Sequence, residues 1–507
     1  MSTEVELKLS ARTTDLPELT RALMAMAPGS VSSQERLIST YYDTQELALK
    51  HRGLSLRIRE QSGRFIQTIK ADNLTGAGML SRGEWEDALT ENRLDLRARQ
   101  CGPHLPDGDF QPLFVTNVMR TTVEIEPLAG TQIEAAIDEG EVRLAHGDKA
   151  ERISEIELEL KGGVSAALYD VALRLLEVAP IRIEIRSKSE RGYRLAEGGT
   201  TAPPAVHAEP VTLEPGMTVE TALQSIGRNC LAQLLRNEPG VLSAQPEGVH
   251  QMRVALRRIR SATSSLKKIL PAEDRRWVAA ELDWFNRALG PARNLDVLAT
   301  ELMLTARAAL PDEPGWDDLA AAFDRLRQTA YDRVREEILS QRYTAAMLRF
   351  MSWFEGRGWR GRGPHDEPNP LASAITEIAP HILNRRQRRV RRRSKGFRRL
   401  GPRQRHKLRI ATKKFRYTIE LFGSLFDENV VRKFVRRLKR LQDDLGYAND
   451  IRVAHDFVPE LFEQTDPRSS AARAWIGVLE WHDQIAAGGE RKLRRHLRRL
   501  NRATPFW

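Results

Sequence analysis

The stretch Glu155-Ile156-Glu157-Leu158-Glu159-Leu160 alternates carboxylate and aliphatic side chains without a break. A period of two puts the three glutamates on one face of an extended strand and Ile156, Leu158 and Leu160 on the other. The same division recurs through the first 200 residues. Val5, Leu7 and Leu9 oppose Glu4, Glu6 and Lys8; Leu54, Leu56 and Ile58 oppose Ser55, Arg57 and Arg59; Phe65, Gln67 and Ile69 oppose Ile66, Thr68 and Lys70. Val123 and Ile125 oppose Arg120, Glu124 and Glu126; Ile133, Ala135 and Ile137 oppose Glu134 and Asp138; Ile181, Ile183 and Ile185 oppose Arg182, Glu184 and Arg186. Seven strands are predicted, each with one ionic and one apolar face. Two arrangements satisfy that pattern: an antiparallel sheet with its ionic face in water, or a barrel whose ionic faces line a lumen. In the barrel, carboxylates at every second position offer hard oxygen ligands to Mg²⁺ or Mn²⁺, and the interleaved Arg and Lys neutralise phosphate oxygens.

Outward from these strands the chain changes character. Its net charge of +12 hides an asymmetry: residues 1–200 hold 25 Lys and Arg against 32 Asp and Glu, whereas residues 201–507 hold 55 against 36. A basic half of that size calls for a polyanionic partner. Between the halves, residues 198–217 are rich in Pro, Gly, Thr and Ala and read as a linker. Beyond it apolar residues recur at helical spacing. The N-terminal stretch has no basic segment leading into an apolar one, and no stretch approaches a membrane span, so the expected compartment is the cytoplasm and no membrane partner is expected. The two cysteines, Cys101 and Cys230, are far apart and lack metal-ligand spacing, which argues against zinc.

The basic half repeats itself at an offset of 156 residues. His250, Arg253, Arg257, Arg258 and Arg260 align with His406, Arg409, Lys413, Lys414 and Arg416, and the segment Leu289–Asn294 aligns with Leu445–Asp450 at the same offset. His250, Arg253, Arg257 and Arg260 fall on one helical face, as do their counterparts. From Arg385 to Arg416, 17 of 32 residues are Lys or Arg and none is acidic. Only Phe397 and Phe415 are aromatic there, with Tyr417 just beyond, too few to stack single-stranded bases, so plain phosphate binding is favoured over nucleic acid.

Glu4-Val5-Glu6-Leu7-Lys8 resembles the ExExK signature of the CYTH superfamily, the triphosphate tunnel metalloenzymes. Further matches follow in family order: Tyr41–Thr44, Leu56–Arg59, Thr68–Lys70, Arg82–Glu86, Arg120, Ile137–Gly140, Glu155–Leu160 and Ser187–Tyr193. The resemblance selects the inward arrangement. It implies that Glu4, Glu6 and carboxylates among Glu155, Glu157 and Glu159 bind the metal, Mg²⁺ or Mn²⁺. It implies that Lys8, Arg57, Arg59, Lys70, Arg120 and Lys188 hold the triphosphate, and that Glu84, Glu86 and Asp138 orient water or a basic neighbour, with Lys8 also in the catalytic set. Tyr41, Tyr42 and Asp43 read as structural.

The paired His-led helices resemble the CHAD domain, a helical module that binds inorganic polyphosphate through a basic surface. That resemblance implies His250, Arg253, Arg257, Arg260, His406, Arg409, Lys413 and Arg416 as polyphosphate ligands, with association to polyphosphate granules. The expected fold is α+β: an antiparallel β-barrel forming a triphosphate tunnel with flanking helices over residues 1–197, a linker over 198–217, and an all-α domain of two duplicated helical bundles over 218–507. The expected activity is metal-dependent hydrolysis of inorganic triphosphate to pyrophosphate and phosphate. The alternatives are hydrolysis of thiamine triphosphate, adenylate cyclase chemistry, and a polyphosphate-binding scaffold without turnover.

Overall fold

The computed structural model describes residues 5–27, 32–71, 79–80, 83–96, 103–199, 204–360, 370–459, 461 and 466–507. Glu4, Arg82 and Cys101 lie outside the described residues. The chain forms two compact units: one of residues up to Pro203 with Leu339–Gly358, the other of Pro204–Ile338 with Trp359–Trp507.

The first unit is built on ten strands: β1 (Glu6–Ala11), β2 (Ser33–Asp43), β3 (Leu54–Gln61), β4 (Arg64–Ala71), β5 (Met79–Leu80), β6 (Gly83–Leu89), β7 (Gln111–Leu128), β8 (Thr131–Leu144), β9 (Ala150–Gly162) and β10 (Ile181–Ile183). They run in the order β10-β1-β9-β8-β7-β2-β3-β4-β6, and β5 pairs with β1. Each of the seven predicted strands is present. β2 and β6, whose ionic and apolar residues divide less cleanly, were not among them.

Closure is where the fold departs from expectation. Among the described residues the main path of the hydrogen-bonded ladder ends at β10 and β6 and does not close, although β5, which precedes β6, pairs with β1. One edge of β1 pairs with β9, and the other is split between β10, which takes Leu9–Ala11, and β5, which takes Glu6 and Leu7.

The apolar faces form the core. Leu7, Leu9, Ile133, Ala135, Ile156 and Leu158 are buried beside the helices Leu16–Ala25 and Ala166–Val178. Each such side chain contributes roughly 1.5–3 kcal/mol of burial free energy. The helix Gln341–Glu355, distant in sequence, packs on Ala166–Val178 as part of this unit.

A short helix, Lys188–Ala196, sets the functional face. Ser187 accepts from the Glu190 backbone N–H at 3.0 Å while the Glu190 carboxylate accepts from the Ser187 N–H at 2.6 Å, a capping box that fixes where the helix begins. Tyr193 donates to Asp43 at 2.9 Å, and Asp43 also accepts from the backbone of Thr44, Leu49 and Lys50. Asp43 is thus a structural anchor between the end of β2 and this helix. Gly192 is needed because a Cβ there would lie 2.2 Å from the Phe114 ring.

In the second unit the 156-residue offset holds element by element. Helices Val219–Arg236, Pro246–Ser265 and Ala272–Asp296 begin 156 residues before Ile375–Arg393, Pro402–Phe422 and Glu428–Asp456. Fourth helices, Trp316–Leu339 and Ser470–Asn501, follow each set. The copies meet at equivalent residues, since Thr218 bridges to Ala374 across an antiparallel pair. Leu383, Leu408, Phe415, Phe434, Leu438 and Leu497 form the core of the second copy. Residues of the expected linker dock on this unit: Val206 exchanges hydrogen bonds with Asn237, and Val211 and Leu213 are buried. Among the described residues no helix is long and apolar enough to cross a membrane.

Gly192→Ala should destabilise the first unit by ~1–3 kcal/mol through overpacking against Phe114. Thermal denaturation of the full chain should lower the midpoint of one transition and leave the other in place.

Candidate functional site

The inward ionic faces of the sheet enclose a cavity of about 530 Å³. It is lined by seven cations, Lys8, Arg57, Arg59, Lys70, Arg120, Lys161 and Lys188, and six carboxylates, Glu6, Glu84, Glu86, Glu134, Glu157 and Glu159. Tyr41, Ser55, Thr68, Ser187 and Ser189 complete the polar wall.

Strand register arranges the charges in rows. In one row Lys8, Glu157 and Ala136 are direct neighbours on β1, β9 and β8; in the next stand Ser10, Glu155 and Asp138, with Arg120 opposite Asp138 on β7. Lys188 reaches into these rows from the first turn of its helix. Its Nζ lies 2.7 Å from Asp138, 2.5 Å from Glu155 and 2.9 Å from Glu157. Arg120 clasps Asp138 at 2.6 Å and Glu157 at 2.5 Å, and Lys8 lies 2.7 Å from Glu157. Burial alone would push the Glu157 carboxyl up, but Lys188, Lys8 and Arg120 outweigh it and hold it well below the usual carboxylate range. Asp138 is lowered too, burial being overcome by Lys188 and Arg120. These side chains stay charged and oriented at neutral pH.

Asp138, Glu155 and Glu157 bring carboxylate oxygens within 4.8 Å of one another, compact enough to hold a cation. Lys188 is the cation at their centre. Asp138 and Glu155 have no exposed surface and do not line the cavity; Glu155 is further tied to Arg191 at 3.1 Å.

A third row is different. Glu6 on β1, Glu159 on β9, Glu134 on β8 and Glu124 on β7 are consecutive cross-strand neighbours. Like charges directly opposite one another are destabilising unless a cation lies among them. Here Lys161, 41% exposed, lies 2.7 Å from Glu159 and 3.6 Å from Glu134. The row's donors are all oxygens, the kind a hard divalent ion such as Mg²⁺ or Mn²⁺ takes, but among the described residues only Asp138, Glu155 and Glu157 gather ligand atoms within 4.8 Å of one another. Glu134 and Lys161 were missed in sequence, although Glu134 stands on the ionic face read there.

The opposite wall carries guanidinium groups with few partners. Arg57 lies 3.6 Å from Glu84 and 3.4 Å from the Tyr41 hydroxyl; Lys70 is 3.1 Å from Glu84, and Thr68 donates to Glu86 at 3.2 Å. The Nε atoms of Arg57 and Arg59 are buried without a hydrogen-bond partner. Burial and then the neighbouring Arg57 and Arg120 pull Arg59 down to about 10. Unpartnered buried donors of this kind call for an anion.

The second unit has its own cavity, of about 350 Å³, into which both copies of the repeat project. His250, Arg253 and Arg257 come from one copy, Arg409 and Lys413 from the other. Arg293, Asn294, Asn449 and Asp450 join from the repeated Leu289–Asn294 and Leu445–Asp450 segments, together with Arg260, Lys414 and Tyr417. His406 and Arg416 do not line it: His406 contacts Asn449 at 3.2 Å, and Arg416 pairs with Glu420 at 3.4 Å. The sequence flagged the repeated segments without seeing that they face the basic helices. Only Glu301 and Asp450 supply negative charge here. The Nε atoms of Arg253 and Arg409 are buried and unpartnered. Burial, Arg257 and Arg409 together pull the Lys413 amine down to about 7.

Two domain families match this chain: CYTH over residues 2–193 and CHAD over residues 225–459. The chain therefore carries a CYTH domain followed by a CHAD domain. Over 201 residues it is 32% identical to the inorganic triphosphatase of Haemophilus influenzae, a match covering 38% of this chain and 55% of that protein. It thus spans little more than half the length of the curated relative it matches. The crystal structure of the CHAD domain from the plant Ricinus communis superposes with a TM-score of 0.50 at 26% identity, covering 60% of this chain and 98% of that one. A putative adenylyl cyclase from Hippeastrum, described as having a dominant triphosphatase activity, is 16% identical with a TM-score of 0.28, covering 39% of this chain and 98% of its own.

A phosphate chain beside Lys413 would restore its charged form against Arg257, Arg409 and Arg416. Binding should therefore take up a proton above about pH 7, and polyphosphate affinity should fall as pH rises through that value. Titration calorimetry across pH should give this slope, and Lys413→Arg should flatten it.

Proposed function

We propose that the first unit hydrolyses inorganic triphosphate to pyrophosphate and phosphate with a divalent metal, and that the second unit binds inorganic polyphosphate. The observation that carries the first part is a single cavity that faces a row of carboxylates with guanidinium groups whose Nε donors are buried without a partner. Carboxylates repel phosphate unless a metal intervenes, so bare anion capture would have no use for them. Kinship with an inorganic triphosphatase supports the same reading.

Glu6, Glu159 and Glu134 would hold the metal, together with Glu4, two residues earlier in the sequence, and Glu157 in the adjacent row. Bound there, Mg²⁺ or Mn²⁺ would neutralise phosphate oxygens and acidify a water. Arg57, Arg59 and Lys70 bind the phosphate oxygens from one wall, and Lys8, Arg120 and Lys188 from the other. Phosphoryl transfer needs charge neutralisation and an in-line water more than a protein nucleophile, and this cavity is built of preorganised charge. Glu84 and Glu86 line the cavity beside Arg57 and Lys70, where they can orient the water. Asp138 acts as a positioning residue, holding Arg120 and Lys188 in place.

In the second unit, Arg253, Arg257, Arg409 and Lys413 form the polyphosphate cradle. His250 lines it as a neutral ring, since burial and then Arg293 pull its pKa down to about 4. Binding through so many cations should weaken steeply with salt.

A phosphate-release assay on inorganic triphosphate, thiamine triphosphate and ATP, each with Mg²⁺ or Mn²⁺, tests the enzymatic reading. Inorganic triphosphate should be turned over fastest, Glu6→Ala should abolish turnover, and Arg59→Ala should lower kcat/KM about 100-fold. Turnover with neither metal would leave only the scaffold alternative. For the second unit, Arg253→Ala or Arg409→Ala in the full chain should weaken long-chain polyphosphate binding; tighter binding of random DNA at equal ionic strength would overturn the choice of polyanion.

A further inference from the structure

Next to the second unit's cavity stands a cluster of cations, most of which do not line it. Lys414 and Ser261 line the cavity. Arg386, on the helix Ile375–Arg393, reaches within 3.5 Å of the Ser261 carbonyl and donates to Ser264 and Ser265 at 2.8 and 2.9 Å. Its Nε is buried with no partner. Arg386, Arg389 and Arg393 stand at i, i+3 and i+7, one continuous face of that helix. Burial and then Arg386, Arg389, Arg260 and Arg393 hold the Lys414 amine below the usual lysine range. Among the described residues none of Arg386, Arg389, Arg393 and Lys414 has a carboxylate partner at ion-pair distance.

The duplication supplies an internal control. One repeat length earlier, the positions of Arg386, Arg389 and Arg393 are Cys230, Gln233 and Asn237, and Lys414 corresponds to Arg258. There the row is neutral and closed on itself: Arg258 donates to Gln233 at 2.9 Å, and Asn237 donates to the Gln233 and Val206 carbonyls at 2.7 and 2.9 Å. The same helix pair therefore packs without a cationic row, so packing does not require one in the second copy. Buried and crowded like charges persist where an anion offsets them.

We propose that Arg386, Arg389, Arg393 and Lys414 form a second phosphate-binding track, continuous with the cavity, that takes the part of a long polyphosphate chain extending beyond it. This rests on the reading of the cavity as a polyphosphate site and adds chain-length selectivity to it. Short chains fill the cavity alone; long chains leave it past Lys414 and gain contacts with the solvent-reaching Arg389 and Arg393, beneath which the buried Arg386 adds its charge. The track is one-sided because only the second copy carries it.

The test uses the full chain with Arg57→Ala and Arg59→Ala, which silence phosphate binding in the first unit, and titrates tripolyphosphate, short-chain and long-chain polyphosphate at fixed salt. Arg389→Glu with Arg393→Glu, both side chains reaching solvent, should weaken long-chain binding about tenfold and leave tripolyphosphate binding unchanged. Arg253→Ala with Arg409→Ala should weaken all lengths. Unchanged long-chain affinity in the Arg389 and Arg393 variant would overturn the track while the cavity reading stands; equal losses at every length would overturn it in favour of a diffuse field. Wild-type binding of no polyphosphate of any length, or full binding by the Arg253 and Arg409 variant, would remove the cavity reading and the track with it.

Discussion

One ammonium group, Lys188 Nζ, sits among the carboxylates of Asp138, Glu155 and Glu157, and the inward ionic face of the first unit depends on it. Those acids come from adjacent strands and would repel one another in a buried setting. The capping box at Ser187 and Glu190 fixes the helix that delivers Lys188, and the Tyr193–Asp43 bond ties that helix to β2. Arg120 and Lys8 then complete the neutralisation. With this wall satisfied, the facing wall keeps the buried, unpartnered Nε atoms of Arg57 and Arg59, and the row of Glu6, Glu159 and Glu134 is met by Lys8 and Lys161. The site's chemistry follows from which charges are already satisfied.

The second unit uses the same physics with a different sign. Seven basic side chains and His250 meet two carboxylates around one small cavity. Packing of the duplicated helices puts residues of both copies around it, so the site belongs to the pair and not to either bundle. The cavity in the first unit is nearly balanced and needs metal and anion together; the cavity in the second is unbalanced and needs an anion alone. That contrast separates a site suited to turnover from one suited to retention.

Much of this was legible in the residues. A period of two with charged and apolar faces predicted seven strands, and a shared 156-residue offset predicted two helical copies whose helices begin in register. What escaped is what alternation cannot encode. The main ladder of the described residues ends at β10 and β6, and the split of one edge of β1 between β10 and β5 is a matter of strand length and position. Glu155 reads as a metal-ligand candidate and Asp138 as a residue orienting water or a basic neighbour, yet a helix from downstream buries them under Lys188 and Arg191. His406 and Arg416 share the basic face of their helix, but their side chains are engaged by Asn449 and Glu420. Ser187-x-x-Glu190 carried a capping signature in plain view; its use, to aim Lys188, needed the third dimension.

In the function proposed for the first unit, the charge lining its cavity is offset by a metal-bound triphosphate. Differential scanning calorimetry of the full chain against rising inorganic tripolyphosphate, in EDTA and in Mg²⁺, tests it most directly, because a ligand bound only by the native state raises the midpoint with its concentration. The account expects the transition that Arg59→Ala lowers in ligand-bound protein to rise with tripolyphosphate, and to rise further with Mg²⁺ before substrate is consumed. A midpoint that stays fixed at every concentration, with and without metal, would contradict it.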